Sequence, residues 1–136
     1  MVVGMVSQFL DPASLPTIDV VDVILVDDEY EPSRASPTIP GIVLKKLTDD
    51  SAQQIARLWR LLPRGDQMRC HMPRYGLRFH LGTAVILEAA ICFECNNIAM
   101  VTASGSAWAI FDAEAASSQE LLSVMRSCDT GSGGSA

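Results

Sequence analysis

Tyr75-Gly76-Leu77-Arg78-Phe79-His80-Leu81, then Gly82-Thr83, then Ala84-Val85-Ile86-Leu87-Glu88-Ala89-Ala90-Ile91-Cys92 is the stretch that decides the fold. Tyr75, Leu77, Phe79 and Leu81 alternate with Gly76, Arg78 and His80, the period of a half-buried strand. Gly82-Thr83 suits a two-residue turn. Ala84 to Cys92 then runs back, apolar except for Glu88. A β-hairpin is therefore expected at the centre of the chain. Ile98 to Thr102 and Trp108 to Phe111 read as further strands, with turns at Asn96-Asn97 and Ser104-Gly105-Ser106.

Upstream, Ile18 to Val26 is rich in Val and Ile and reads as a strand, closed by Asp27-Asp28-Glu29. The prolines at 32, 37 and 40 make Glu31 to Gly41 a loop. Ile42-Val43-Leu44 is expected as a short strand. A helix is expected to begin near Asp50 or Ser51, where Ser51 and Gln54 have the spacing of a capping box. Ala52, Ile55, Ala56, Trp59 and Leu62 form its apolar face, and Pro63 and Gly65 stop it. Ser117 and Glu120 repeat the capping spacing before Leu121, Val124, Met125 and Cys128, which predicts a closing helix. The fold class is α+β: a short antiparallel β-meander with an amphipathic helix before it and a C-terminal helix after it. Residues 1–16 read as a loose lead-in, 17–129 as one domain, and 130–136 as a flexible Gly/Ser tail.

Composition bounds the function. The chain has 136 residues, 49% hydrophobic and 19% charged, as expected of one globular domain with its own core. No run approaches a membrane-spanning length, and the apolar start has no basic flank, so neither a membrane nor a secretory signal is expected. Four cysteines without such a signal point to a reducing, cytoplasmic setting with free thiols. The net charge is −6. The first 33 residues carry no Lys or Arg, whereas Arg57 to Arg78 contains six arginines and one acid. Overall acidity works against nucleic acid as a partner, and the two charge blocks are expected to face one another or water.

Three groups of residues could carry chemistry. Cys92-Phe93-Glu94-Cys95 has a spacing that can grip zinc if the chain turns after Cys92, with Cys70, His71 and His80 as candidate co-ligands. Only one Cys-x-x-Cys is present, and on a continuing strand its cysteines would point to opposite faces. As a redox motif it follows a strand and contains Glu94, whereas activation calls for a helix N-terminus and positive charge. The alternative is thiols packed in the core, which is also the reading for Cys128. Arg78 could anchor an anionic ligand or pair with Glu88 across the hairpin, and the pairing is preferred. Asp27, Asp28 and Glu29 form an acidic cluster suited to a basic partner. There is no Gly-rich phosphate loop, nucleophile elbow or His-Glu-x-x-His.

Cys70-His71-Met72-Pro73-Arg74-Tyr75-Gly76-Leu77-Arg78-Phe79, followed by Glu88 through Ile98, resembles small uncharacterised bacterial proteins. These pair a Cys-x-x-Pro-x-x-Gly-Leu-Arg-Phe segment with a later Ile-Cys-x-x-Cys. The likeness covers roughly residues 42–128 and leaves the acidic N-terminal part unmatched. It implies a bacterial source, draws attention to Cys70, Arg78, Cys92 and Cys95, and brings no activity with it. The functional expectation is a non-enzymatic domain that binds another protein, such as an immunity protein, antitoxin or adaptor. The alternative is a small zinc module using Cys70, His71, Cys92 and Cys95. An enzyme using Cys70 or Glu94 ranks third.

Overall fold

The computed structural model describes residues 8–31, 38–66 and 70–129. The Gly/Ser tail, the apolar start, Pro32, Pro37 and Arg69 lie outside the described residues. Among the described residues, seven strands and two α-helices follow in the order β1 (Gln8–Phe9), β2 (Val20–Val26), β3 (Gly41–Thr48), α1 (Asp49–Arg60), β4 (Tyr75–Leu81), β5 (Ala84–Cys92), β6 (Asn97–Thr102), β7 (Gly105–Ile110) and α2 (Ala116–Cys128). They form one sheet in the order β1-β7-β6-β5-β4-β2-β3. All pairings are antiparallel except the short parallel contact of β1 with β7. This is the expected α+β class, with the meander running from β4 to β7. No described helix is long and apolar enough to cross a membrane.

The central hairpin forms with the expected boundaries. Gly82 takes a positive φ of 61° at the turn, a conformation glycine adopts without strain. A register shift between Phe79 and His80 bends the pair near its tip. Tyr75, Leu77 and Phe79 enter the main core, while Arg78 and His80 face the other side, as the alternation predicts.

Both helices pack on one face of the sheet. Ile55, Ala56 and Trp59 of α1 and Leu121 and Met125 of α2 meet Val21, Val23, Leu77, Phe79, Ala89, Ile91, Ile98 and Met100 in one buried cluster. Trp59 and Phe79 meet edge to face at 5.2 Å between ring centroids, a favoured aromatic arrangement. Phe93 and Phe111 do the same at 5.4 Å and close the end of the core. Gly65 lies so close to the Phe111 carbonyl that a Cβ would collide with it. Beside it, the Asp112 N–H donates to the Pro63 carbonyl at 2.8 Å, tying the loop after α1 to the chain leaving β7.

Four expectations change. The helices exist, but neither capping box forms. α1 starts at Asp49 with Thr48 as its N-cap, so Ser51 already lies in the first turn. Asp49 and Asp50 there complement the positive end of the helix dipole. In α2 the N-cap is Ala115. Ser117 Oγ instead donates to the Leu61 carbonyl, while Ser118 and Gln119 hold the carbonyls of Asp112 and Ala113. Second, the strand expected at 42–44 runs over eight residues, because it pairs with β2 along its length. Third, the edge element expected from Trp108 begins at Gly105, and the main chain of Gln8–Phe9 adds to it. Fourth, residues 8–16 are not loose. Leu15 is buried, and Arg60 donates to the carbonyls of Leu15 and Pro16 at 3.1 and 2.7 Å.

Candidate functional site

The sheet face away from the helices carries the polar residues. Asp22, Arg78 and Glu88 stand side by side on β2, β4 and β5, because Asp22 pairs with Arg78 and Arg78 with Glu88 in register. Arg78 Nε donates to Glu88 Oε1 at 3.2 Å, and its Nη1 lies 3.7 Å from Asp22 Oδ2. His80 Nε2 reaches the same Asp22 oxygen at 2.8 Å. Glu88 Oε1 also accepts from the Ile39 N–H at 3.0 Å and the Thr38 hydroxyl at 2.5 Å. Glu88 thus pins the far end of the β2–β3 loop over the sheet. Val26, Ile39 and Ala90 form a small second core beneath it, with Tyr30 and Val101 against it.

Arg78 is therefore placed where the preferred reading put it, paired with Glu88. The sequence reading missed Asp22, which makes the pair a triad. The acidic and basic blocks do meet here. Both carboxylate side chains are less than a tenth exposed and Arg78 is 19% exposed, so its guanidinium is committed internally, and the anion-anchoring alternative for Arg78 loses its free charge.

The cysteines form a different site from the one expected. Cys70 and Cys95 are joined in a disulfide, with Cα atoms 5.6 Å apart. The chain does turn after Cys92, as chelation would require. The Cys95 N–H donates to the Cys92 carbonyl, and Asn96 takes a positive φ of 55°. Yet the turn delivers Cys95 to Cys70. This corrects the expectation of four free thiols: only Cys92 and Cys128 are free, both buried. It also removes two thiolates from the ligand set Cys70, His71, Cys92 and Cys95, because sulfurs bonded to each other are not thiolate ligands. Among the described residues no three His, Cys, Asp or Glu side chains converge as a metal-holding group. His80, the other candidate, is bonded to Asp22 instead.

His71 follows the disulfide on a strap that crosses the end of the sheet. Asn97 fixes it. The Asn97 amide donates from Nδ2 to the Cys70 carbonyl at 2.6 Å, which orients its Oδ1 toward His71 Nδ1 at 2.7 Å. Nδ1 must then carry the proton. Nε2 is buried, with no hydrogen-bond partner among the described residues. The ring meets Trp108 edge-on at 5.0 Å and Tyr30 at 5.9 Å. Burial pushes the His71 pKa below its ordinary 6.5, opposed by the Asn97 hydrogen bond. Burial also raises the Tyr30 phenol to about 12.

A stability consequence follows from His71. On acidification the unfolded chain protonates this histidine first, so it binds more protons than the native state. Stability contributed here is full above about pH 6.5 and is lost as pH falls toward the lowered native value. Urea midpoints measured from neutral pH down to about pH 5 are expected to fall more steeply in the wild type than in His71→Gln. Equal slopes would show that His71 titrates alike in both states.

Past the strap, Arg74 Nη2 meets Asp129 Oδ2 at 3.0 Å, and the Tyr75 hydroxyl donates to the same oxygen at 2.9 Å. The end of α2 is thereby tied to the strap. Between the strap and the start of the β2–β3 loop lies a cleft of about 550 Å³. Asp27, Asp28, Tyr30, His71, Met72 and Arg74 are among its lining residues. Asp27 Oδ1 accepts from the Glu29 N–H at 3.0 Å and shapes the turn. Asp27, Asp28 and Glu29 are exposed, and Met72 is 69% exposed. The fold thus brings two of the three acidic residues singled out in sequence together with His71, while Glu29 helps form the turn beside them. Tyr30 and Met72 were not singled out, while in sequence Asn97 reads as part of a turn and Trp108 as the start of a strand, since their roles here depend on neighbours far along the chain. Compared with family models, curated proteins and solved structures, the chain matches none of them.

Proposed function

We propose that this is a non-enzymatic interaction domain that binds another protein through the cleft between the β2–β3 loop and the strap. One observation carries this reading: Asp27 and Asp28 share a cleft with Tyr30 and the exposed Met72. A partner side chain with an apolar stem and a positive head, Lys or Arg, matches that combination. Met72 offers an adaptable apolar contact at the rim. The net charge of −6 adds long-range attraction for a basic partner and chiefly accelerates encounter. An immunity protein, antitoxin or adaptor would each use such a surface.

Panning a random peptide-display library against the immobilised protein tests this. Peptides containing Lys or Arg beside apolar residues are expected to be enriched. Asp27→Asn with Asp28→Asn keeps the turn-forming Oδ1 acceptor and removes both charges. Affinity for the enriched peptides is expected to fall at least about tenfold, equivalent to about 1.4 kcal/mol. Peptides that bind the double variant equally well, or a failure to enrich basic peptides, would reject the cleft as the docking surface.

A further inference from the structure

The strap carries a second kind of chemistry. Cys92 ends β5 on the same sheet face as the strap, and its Sγ accepts the Met72 N–H at 3.4 Å. That amide is two residues from Cys70. Cys95 lies three residues beyond Cys92, in a turn closed by its N–H to the Cys92 carbonyl at 3.4 Å. A turn of this kind holds its end Cα atoms within about 7 Å. A disulfide spans about 4.4–6.8 Å between Cα atoms. Cys95 therefore has two cysteines within reach: Cys70, to which it is bonded, and Cys92, which holds a free thiol.

The geometry points to a thiol–disulfide exchange site in which Cys92 displaces Cys70 from Cys95. The Cys92 thiolate attacks Cys95 Sγ, and a Cys92–Cys95 bond forms as the Cys70–Cys95 bond breaks. The electron pair leaves on Cys70 Sγ, which takes up the proton that Cys92 gave up. One disulfide and one thiol are present before and after, so no oxidant or reductant is consumed. Attack by a thiolate on a disulfide sulfur is the general route for such exchange.

The exchange relocates the free thiol. Cys92 and Cys95 are at most 1% exposed, whereas Cys70 is exposed. A thiol hidden beneath the strap becomes a thiol at the surface. The covalent latch that holds His71 and Met72 over the sheet is released in the same step, leaving Asn97 and the Arg74–Asp129 pair to hold the strap. This inference rests on the cysteine geometry and is independent of any partner in the cleft.

Iodoacetamide labelling of the native protein without reductant, at mildly alkaline pH, tests it. The alkylated cysteine and the surviving disulfide are mapped by mass spectrometry of non-reduced peptides. Slow labelling of Cys70 is expected, together with a new Cys92–Cys95 peptide. In Cys92→Ser, Cys70 is expected to label at least about tenfold more slowly, since the attacking thiol is gone. Cys128→Ser is expected to label Cys70 as the wild type does. Label on Cys92 with the Cys70–Cys95 bond intact would overturn the proposal, as would no label on Cys70. Because the wild-type map decides the matter by itself, a misfolded Cys92→Ser variant would not rescue or sink it.

Discussion

Replacing Arg78 by methionine is expected to destabilise the protein by about 3–5 kcal/mol, the usual cost of leaving a buried charge without its partner. Methionine keeps an apolar stem of similar length, so the loss isolates the guanidinium. Without it, Asp22 and Glu88 are two buried carboxylates on neighbouring positions of one sheet face. Asp22 keeps His80 on Oδ2, but its Oδ1 is buried and accepts no hydrogen bond among the described residues. Glu88 keeps Thr38 and Ile39, but its charge is no longer balanced. Urea unfolding reads the effect as a lower midpoint at unchanged slope. Adding Glu88→Gln to Arg78→Met removes one of the stranded charges and keeps an acceptor for Ile39. The double variant is expected to recover about 1 kcal/mol or more, because residues in one network are not additive. A loss below about 1 kcal/mol for Arg78→Met would mean that the triad behaves as an exposed ion pair.

Removing the disulfide by Cys70→Ala with Cys95→Ala is expected to cost about 3 kcal/mol, given the loop it closes. The two cysteines are 25 residues apart, and that loop contains the whole central hairpin. Most of the cost comes from the unfolded chain, which regains the freedom the bond had removed. A local effect is expected as well. The Met72 amide, which donates to the Cys92 sulfur, should exchange its hydrogen faster once the latch is gone. Treating the wild type with reductant should reproduce the shift in unfolding midpoint. Cys128 is the buried last residue of α2, its thiol donating to the Val124 carbonyl, and Cys128→Ser should respond to reductant as the wild type does. A wild-type midpoint unmoved by verified reduction would show that the strap is held by its hydrogen bonds alone.

The triad and the disulfide show how far one strand pattern reaches. The alternation of Tyr75 to Leu81 placed Arg78 on the face opposite Leu77 and Phe79, and the hairpin turn placed Glu88 beside it. Both are local consequences of period two and a two-residue loop. Asp22 was beyond that logic. It belongs to a strand more than fifty residues upstream, and nothing local says that β2 lies beside β4. The disulfide lay beyond that logic too: the chain turns after Cys92, so the hairpin register ends there and does not say which cysteine Cys95 meets.

The helix starts show a complementary limit. Ser51 with Gln54 and Ser117 with Glu120 have capping spacings, yet α1 begins at Asp49 and α2 at Ala116, so both serines lie inside the first turn. The serine side chains then serve other ends, as where Ser117 reaches back to Leu61. A capping motif fixes the neighbourhood of a helix start. The start itself depends on where the preceding strand lets go, and β3 runs directly into α1.

By itself the sequence determined the α+β class, the central hairpin, the two helices and the faces on which Arg78 and Glu88 stand. These follow from repeat periods and turn chemistry, which act over a few residues. Only the tertiary structure decided that Asp22 completes a charged triad, that Cys95 is bonded to Cys70, and that Asp27 and Asp28 share a cleft with His71 and Met72. Those outcomes depend on which strands become neighbours and how loops cross the sheet. The whole core settles such choices through the burial of Trp59, Phe79 and their partners, and no local pattern records them.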